Sequence, residues 1–133
     1  MTHLLDTNVC IAVMRQRPEV CQRMRKLSPK DCGVSVVSVY ELFAGVERCR
    51  DPESEGRKVM KFLEPLQIFP FDVDSARHAA QVRWQLEQRG QLIGPYDLML
   101  AGQALALQVV FVTHNTAEFG RVPELQLEDW QQN

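Results

Sequence analysis

Short apolar, β-branched runs alternate along this chain with longer stretches of helical periodicity, and this alternation limits the possible folds more than any other feature. Four such runs predict strands, at residues 3–5, 33–37, 68–71 and 109–113. Strands that alternate with helices favour one parallel sheet with both faces covered. We therefore predict an α/β fold, as a single domain over residues 1–133, with a central parallel sheet of four to five strands flanked by helices on both faces.

The intervening segments predict helices that begin at recognisable capping residues or prolines. The predicted helices cover about residues 7–16, 18–27, 38–48, 52–63, 74–89 and 95–107. Ser38 and Glu41 match a capping box, and Asp74 is expected to cap a helix whose stripe of Ala76, Ala79, Val82 and Leu86 faces the core. The helix at 95–107 is apolar nearly all round, which predicts a central, buried position. The tail is expected to form a short turn near Ala117 and an edge strand near residues 125–127.

Composition places the chain among ordinary globular proteins. It has 45% hydrophobic and 24% charged residues, and no apolar run approaches the ~20 residues of a membrane span. The first residues lack the features of a signal peptide, so we expect a cytoplasmic protein without membrane attachment. The four cysteines lack metal-ligand spacing, so we expect reduced thiols rather than a zinc site.

Three charge-poor segments each keep a single carboxylate. Asp6 is the only charged residue from 1 to 14, Glu41 from 32 to 46, and Asp97 from 90 to 113, counting histidine as neutral. Each acid lies near a predicted helix start, where capping or the helix dipole would explain it individually. Together, however, they belong to the segments expected to form the centre of the sheet and its best-buried helix.

Three carboxylates in one apolar neighbourhood repel one another and are poorly solvated, unless a cation lies between them. No lysine or arginine occurs in those segments, whereas Mg²⁺ and Mn²⁺ prefer carboxylate oxygens and retained waters. Such an ion promotes phosphodiester hydrolysis by activating water and neutralising charge on the phosphate. The residues thus predict a site for metal-dependent phosphodiester hydrolysis at Asp6, Glu41 and Asp97.

Four segments carry a resemblance to a known family. They are Leu4-Leu5-Asp6-Thr7-Asn8, Val39-Tyr40-Glu41-Leu42, Pro95-Tyr96-Asp97-Leu98-Met99-Leu100-Ala101 and Val112-Thr113-His114-Asn115. In this order they resemble the motifs of PIN-domain nucleases and, within them, VapC toxins of toxin–antitoxin pairs. The resemblance covers the whole chain, including its ending from Glu118-Phe119 to Glu128-Asp129-Trp130.

The resemblance implies a PIN fold and a Mg²⁺- or Mn²⁺-dependent endoribonuclease. Asp6 and Asp97 match the most direct metal-binding positions and Glu41 the third acid, while Thr7 and Asn8 match polar positions near the metal. The run 93–97 together with the ending is similar to the subgroup that cuts initiator tRNA in its anticodon loop. The resemblance also implies a homodimer and an inhibitory VapB antitoxin.

One position departs from the family pattern. Many members carry a fourth acid where this chain has Asn115, and Glu118, one helical turn later, is the candidate to replace it. Glu118 as a metal contact and Glu118 as exposed surface remain equally open, as does the number of metal ions. Asn115 also leaves open an alternative function, a PIN-fold RNA- or protein-binding module with weak catalysis.

Basic and aromatic residues suggest where partners bind. Residues 1–61 hold 11 of the 15 lysines and arginines but 8 of the 17 acids, an imbalance that can supply a basic face for RNA. The candidate phosphate contacts are Lys26, Lys30, Arg48 and Arg50, and Tyr96 is a candidate for base stacking. The candidate antitoxin groove consists of Ile11, Met14, Tyr40 and Phe43, for which core packing is the competing interpretation.

Overall fold

A computed structural model of the chain describes residues 2–131. Five strands form one sheet: His3–Leu5 (β1), Cys32–Ser35 (β2), Gln67–Phe69 (β3), Val110–Val112 (β4) and Leu127–Glu128 (β5). Their order is β3-β2-β1-β4-β5, and every neighbouring pair is parallel. The predicted α/β architecture around a parallel sheet is confirmed.

Helices connect and cover the strands. They are Thr7–Met14 (α1), Pro18–Arg25 (α2), Val36–Arg48 (α3), Pro52–Leu63 (α4), Val73–Gln88 (α5), Pro95–Leu107 (α6) and Thr116–Phe119 (α7), with a 3₁₀ turn at Pro29–Asp31. None of these helices, in the part of the chain that the structure describes, is long and apolar enough to cross a membrane.

Successive side chains of the central strands enter two different hydrophobic cores. Leu5 and Val112 pack into a core that includes residues of α1, α3 and α4. Their neighbours Leu4 and Phe111 pack into a second core, with residues of α5 and α6. This alternation is the two-residue period of a strand, and it confirms that helices flank both faces of the sheet.

Helix α6 lies in the interior, as its apolar sequence predicts, and Gly102 allows its close approach to α5. A Cβ atom at Gly102 would lie 2.4 Å from the backbone nitrogen of Ala79. No side chain fits in that gap, so a glycine is required where the two helices touch. This contact positions α6, which carries Asp97 in its first turn.

The boundary between the second strand and the following helix differs from the prediction. Strand β2 ends at Ser35, whose Oγ accepts a 3.0 Å hydrogen bond from the backbone nitrogen of Val37 and caps α3. Ser38 therefore lies inside the helix, and the predicted capping box with Glu41 is wrong. The sequence favours a strand through Val37 because Val36 and Val37 are β-branched, but a serine cap outweighs this weak preference.

Three smaller predictions are also corrected. Asp72, not Asp74, caps α5, because its Oδ1 accepts a 2.9 Å bond from the nitrogen of Ser75. Ala76 is exposed rather than part of the buried stripe. Strand β3 ends at Phe69, before a proline that has no N–H to donate.

Candidate active site

The site forms at the carboxyl ends of β1 and β4, where the strand order changes direction. From β1 the chain proceeds to β2 on one side of the sheet, whereas β4 pairs with β1 on the other side. Ligands of open α/β sheets collect at such switch points, beside helix N-termini. Asp6 follows β1 directly and Thr113 follows β4 directly, so both enter this crevice.

Asp6 is buried, with 5% of its surface exposed. Its Oδ1 accepts a 2.8 Å bond from the backbone nitrogen of Thr7, and its Oδ2 accepts a 2.8 Å bond from Oγ1 of Thr113. Asp6 is therefore the N-cap of α1, as its sequence position predicts. Each carboxylate oxygen can accept more than one bond, so this cap keeps coordinating capacity.

Glu41 reaches the same crevice from the second turn of α3. Oγ1 of Thr7 donates a 2.6 Å hydrogen bond to Oε1 of Glu41 and lies 2.8 Å from Oγ of Ser38. Thr7, the first residue of α1, thus links the two acids: its backbone nitrogen contacts Asp6 and its hydroxyl contacts Glu41. Its predicted place in the site agrees with this geometry, while Asn8, the next residue, is exposed on the rim.

Asp97 approaches from α6, in the helix turn that follows Gly94 and Pro95. Its Oδ2 lies 3.7 Å from the point where a Cβ on Gly94 would be. Burial raises the pKa of Asp97 to about 7, and the negative charges of Glu118, Asp6 and Glu41 contribute in the same direction. The structure therefore brings together the three acids that the sequence singled out.

Glu118 is the fourth acid of the crevice. Its Oε2 accepts a hydrogen bond from Nδ2 of Asn115, and its Oε1 accepts a 3.4 Å bond from the backbone nitrogen of Gly94. The backbone nitrogen of Asn115 in turn donates a 3.0 Å bond to Oγ1 of Thr113, the residue that contacts Asp6. Asn115 supplies no charge itself, but its amide group orients Glu118 toward the start of α6.

In the part of the chain that the structure describes, the four carboxylates have no basic side chain within ion-pair distance. Among residues 2–131, no ion pair involves Asp6, Glu41, Asp97 or Glu118. Burial raises the pKa of Asp6 to about 6, although its hydrogen bonds from Thr113 and Thr7 oppose this, and the charges of Glu41 and Glu118 raise it further. An uncompensated acidic crevice of this kind favours either protons or a bound cation.

A set of carboxylates suits Mg²⁺ or Mn²⁺, which keep several water ligands, better than it suits a metal that protein side chains enclose completely. Within the described residues, no three Asp, Glu, His or Cys side chains are arranged to hold a metal ion by themselves. Mg²⁺ does not require such a cage, because it usually keeps several waters and takes one or two protein carboxylates. Asp6, Glu41, Asp97 and Glu118 are the residues that could hold such an ion.

The predicted phosphate contacts are distributed unevenly around the sheet. Lys30 lies in the 3₁₀ turn just before β2, at the amino-terminal edge of the sheet and opposite the acids, and Lys26 ends α2 before that turn. Arg48 lines a cavity that also contains Glu41, and Arg50 is exposed beyond α3. The sequence shows that lysines and arginines are abundant in residues 1–61, whereas the topology decides at which edge of the sheet each of them lies.

Sequence reasoning missed Arg15 and Arg17, which line a cavity with Asp6. The available signal was their position, two basic residues directly after the helix that Asp6 caps. A helix of eight residues rises only about 12 Å, and residues from both ends of α1 line this one cavity.

The four apolar residues of the predicted antitoxin groove differ in exposure and in the cavities that they line. Ile11, Met14 and Phe43 are partly buried against the core. Tyr40 is 56% exposed and contacts Tyr96, with ring centroids 5.5 Å apart and hydroxyls 3.3 Å apart. Ile11 and Met14 line the cavity that contains Glu41, but Phe43 lines a different one.

The comparison with known proteins agrees with this architecture. Residues 3–125 match the PIN domain family model. The chain is 35% identical over 127 residues to the tRNA(fMet)-specific endonuclease VapC of Salmonella typhimurium, covering 96% of each protein. It is 33% identical over 132 residues to Ribonuclease VapC2 of Rickettsia felis, covering 98% of each.

Solved structures give the same relationship. The crystal structure of DNA-bound VapBC from Salmonella typhimurium matches with a TM-score of 0.93 and 33% identity, over 98% of both chains. That of VapBC2 from Rickettsia felis, bound to a DNA fragment from its promoter, matches with a TM-score of 0.93 and 30% identity, over 98% of this chain and 100% of that one. The chain therefore belongs to the PIN-domain family and, within it, to the VapC ribonucleases.

Proposed function

We propose that this chain is a Mg²⁺-dependent endoribonuclease toxin that hydrolyses RNA phosphodiester bonds and accepts Mn²⁺ as a substitute. The observation that supports this most strongly is the crevice of four carboxylates without a basic partner among the described residues. When bound, Mg²⁺ neutralises charge on the phosphate and makes a water more acidic. Asp6 and Asp97 would hold the ion directly.

The remaining residues of the site position these ligands. Thr113 and the nitrogen of Thr7 hold the two oxygens of Asp6 in one orientation. Oγ1 of Thr7 fixes Glu41, and Asn115 fixes Glu118. Hydrogen bonds to metal ligands commonly raise metal affinity by orienting them in advance. On this proposal, Thr7, Thr113 and Asn115 are positioning residues, and these contacts support that role.

We further propose initiator tRNA as the substrate and a VapB-type antitoxin as the inhibitor. The first rests on the Salmonella relative, which is named a tRNA(fMet)-specific endonuclease. The second rests on the neighbours, which are VapBC complexes. A homodimer and a cytoplasmic location remain predictions from the family resemblance, which light scattering and cell fractionation would test.

The decisive experiment compares purified wild type with Asp97→Asn on an initiator tRNA transcript and an elongator tRNA transcript. We expect Mg²⁺-dependent cleavage by wild type, inhibition by EDTA, and a loss of about a hundredfold or more in the variant. Asp74→Asn is the matched control, because Asp74 also lies in the first turn of a helix, α5, but is exposed. It should cleave like wild type.

Each failure has a distinct meaning. Equal cleavage by wild type and Asp97→Asn would refute the proposed site. Equal cleavage of both tRNAs would refute the proposed substrate while leaving the nuclease intact. RNA binding without cleavage by wild type would favour the alternative, a PIN-fold binding module.

A further inference from the structure

A cavity of about 470 Å³ opens beside Asp6, and its wall combines acid-site residues with two cations. Asp6, Asn8 and Asn115 contribute to it from the acid site, and Arg15 and Arg17 contribute from the end of α1. The mechanism proposed above uses the carboxylates but assigns no role to these arginines.

The turn that ends α1 holds both arginines in a defined place. Arg15 is the C-cap, and Gln16 adopts the left-handed conformation with φ of 58°. The nitrogen of Gln16 donates a 2.9 Å bond to the oxygen of Val13, and that of Arg17 donates a 3.0 Å bond to the oxygen of Ala12. This pair of bonds is a Schellman motif. The backbone of both arginines is thereby tied to the helix that Asp6 caps.

Arg15 and Arg17 are exposed and, like many bases of the chain, have no acidic partner among residues 2–131; what sets them apart is their place at the cavity of Asp6. Arg57, Lys58 and Arg83 each pair with a glutamate one helical turn away. Arg15 and Arg17 form no ion pair with any residue in the range 2–131. A guanidinium group binds phosphate oxygens through parallel N–H donors. Two unpaired guanidinium groups at one cavity therefore fit an anionic ligand.

Arg15 also borders the second cavity of the acid site. That cavity measures about 620 Å³ and contains Glu41 and Arg48. Arg15 therefore lies between the cavity of Asp6 and the cavity of Glu41. Four carboxylates repel an RNA backbone, so a nuclease of this design needs positive charge beside the acids to retain its substrate.

On the basis of the proposed nuclease function, we propose that Arg15 and Arg17 form a binding site for the RNA backbone. They hold a phosphate group that neighbours the phosphodiester to be cleaved. The ligand class is a single-stranded phosphodiester chain. Arg15 and Arg17 recognise charge and phosphate shape and carry no base specificity. Their contribution is to hold the strand in register with the carboxylates.

The test measures RNA binding without cleavage. Asp97→Asn serves as the background, since it is expected to abolish cleavage. It leaves the cavity itself unchanged, because Asp97 does not line it. A short, fluorescein-labelled single-stranded RNA of mixed sequence is titrated by anisotropy at several KCl concentrations and constant Mg²⁺. The test pair is Arg15→Ala with Arg17→Ala. The control pair is Arg25→Ala with Arg77→Ala, which removes the same charge from exposed positions outside the cavity.

We expect the test pair to weaken binding about tenfold or more and to lower the salt slope by about 0.7 for each lost phosphate contact. The control pair should change affinity by less than about twofold, since its charges act only at a screened distance. A variant with lysine at both positions 15 and 17 should regain most of the affinity, because lysine restores the positive charge. It should not regain all of it, because lysine lacks the parallel N–H donors of a guanidinium group. Thermal melts of every variant verify folding.

Several results would overturn the inference. Equal losses in the test and control pairs would show only a net-charge effect. Unchanged RNA binding in the test pair would favour a protein partner at this cavity, and absence of any RNA binding in the background would exclude the site. Kinetics separate this inference from the nuclease proposal. If wild type cleaves RNA, and Arg15→Ala with Arg17→Ala in an otherwise wild-type chain keeps the wild-type KM, only this inference fails. If wild type does not cleave RNA but the test pair still loses affinity for RNA, only the nuclease proposal fails.

Discussion

The hydroxyl of Thr113 donates a 2.8 Å hydrogen bond to Oδ2 of Asp6, although 107 residues separate them in sequence. The bond spans the carboxyl ends of β4 and β1, which are neighbours in the sheet. It lowers the pKa of Asp6 while burial raises it. Asp6 is therefore positioned by a side chain that is distant in sequence and is brought to it by the pairing of the two strands.

Thr113→Val should weaken the site while keeping the volume of the side chain. Asp6 loses one buried hydrogen bond and the nitrogen of Asn115 loses its acceptor, at a cost of about 1–2 kcal/mol in the free energy of unfolding. The pKa of Asp6 should rise further, so more Mg²⁺ should be needed for half-maximal cleavage. Thr113→Ser keeps the hydroxyl and is the control. Equal Mg²⁺ requirements in both variants would contradict this role.

Glu118→Gln tests whether the fourth acid acts at the metal. The substitution removes a negative charge that raises the pKa of Asp97 and that the proposed ion would contact through water. We expect a weaker apparent affinity for Mg²⁺, by about 10-fold to 100-fold. Glu124→Gln, at an exposed acid of the same segment, should leave the affinity unchanged. Unaltered Mg²⁺ titrations of Glu118→Gln would place Glu118 outside the site.

The metal-free protein should become less stable as pH rises. The pKa of Asp97 is about 7 and that of Asp6 about 6 in the folded state, compared with about 3.9 in an unfolded chain. These two groups therefore bind more protons in the folded than in the unfolded chain between these values, and the stability that they contribute is fully present below about pH 4 and is lost as pH rises to about 7. Chemical unfolding in EDTA across this range measures the effect.

Asp97→Asn isolates the contribution of one acid to this pH dependence. At neutral pH the variant should exceed wild type by about 1 kcal/mol in EDTA, a figure reduced for solvent screening of a half-buried group. The difference should disappear near pH 4, and Mg²⁺ should stabilise wild type more than the variant. Glu64→Gln, at an exposed acid without an ion pair among residues 2–131, should show neither behaviour. A variant less stable than wild type at neutral pH would contradict the proposed charge repulsion.

Gly102→Ala should disrupt the contact between α5 and α6. The added Cβ would lie 2.4 Å from the nitrogen and 2.5 Å from Cα of Ala79, so backbone must move, at a cost of about 3 kcal/mol or more. Gly45→Ala is the matched helical control, since no atom lies within 4 Å of its added Cβ. It should stabilise the protein by up to about 1 kcal/mol. Denaturant unfolding of both variants tests the comparison, and equal stabilities would refute it.

The sequence alone determined the class of fold and the identity of the central acids. The alternation of strand and helix periods predicts a parallel sheet, because each period requires a different secondary structure to bury its apolar face. Three lone carboxylates in otherwise uncharged segments are likewise visible without coordinates, because burying a charge is costly and so requires a reason.

Only the tertiary structure decided how those acids are held and which bases accompany them. The cap at Ser35 rather than Ser38 shifts the helix start and leaves Glu41 to bond with Thr7. Lys30 lies at the opposite edge of the sheet from the acids, whereas Arg15 lies beside them. Local preferences are worth only a fraction of a kcal/mol per residue, whereas contacts between distant segments depend on strand order and packing, which a linear pattern does not encode.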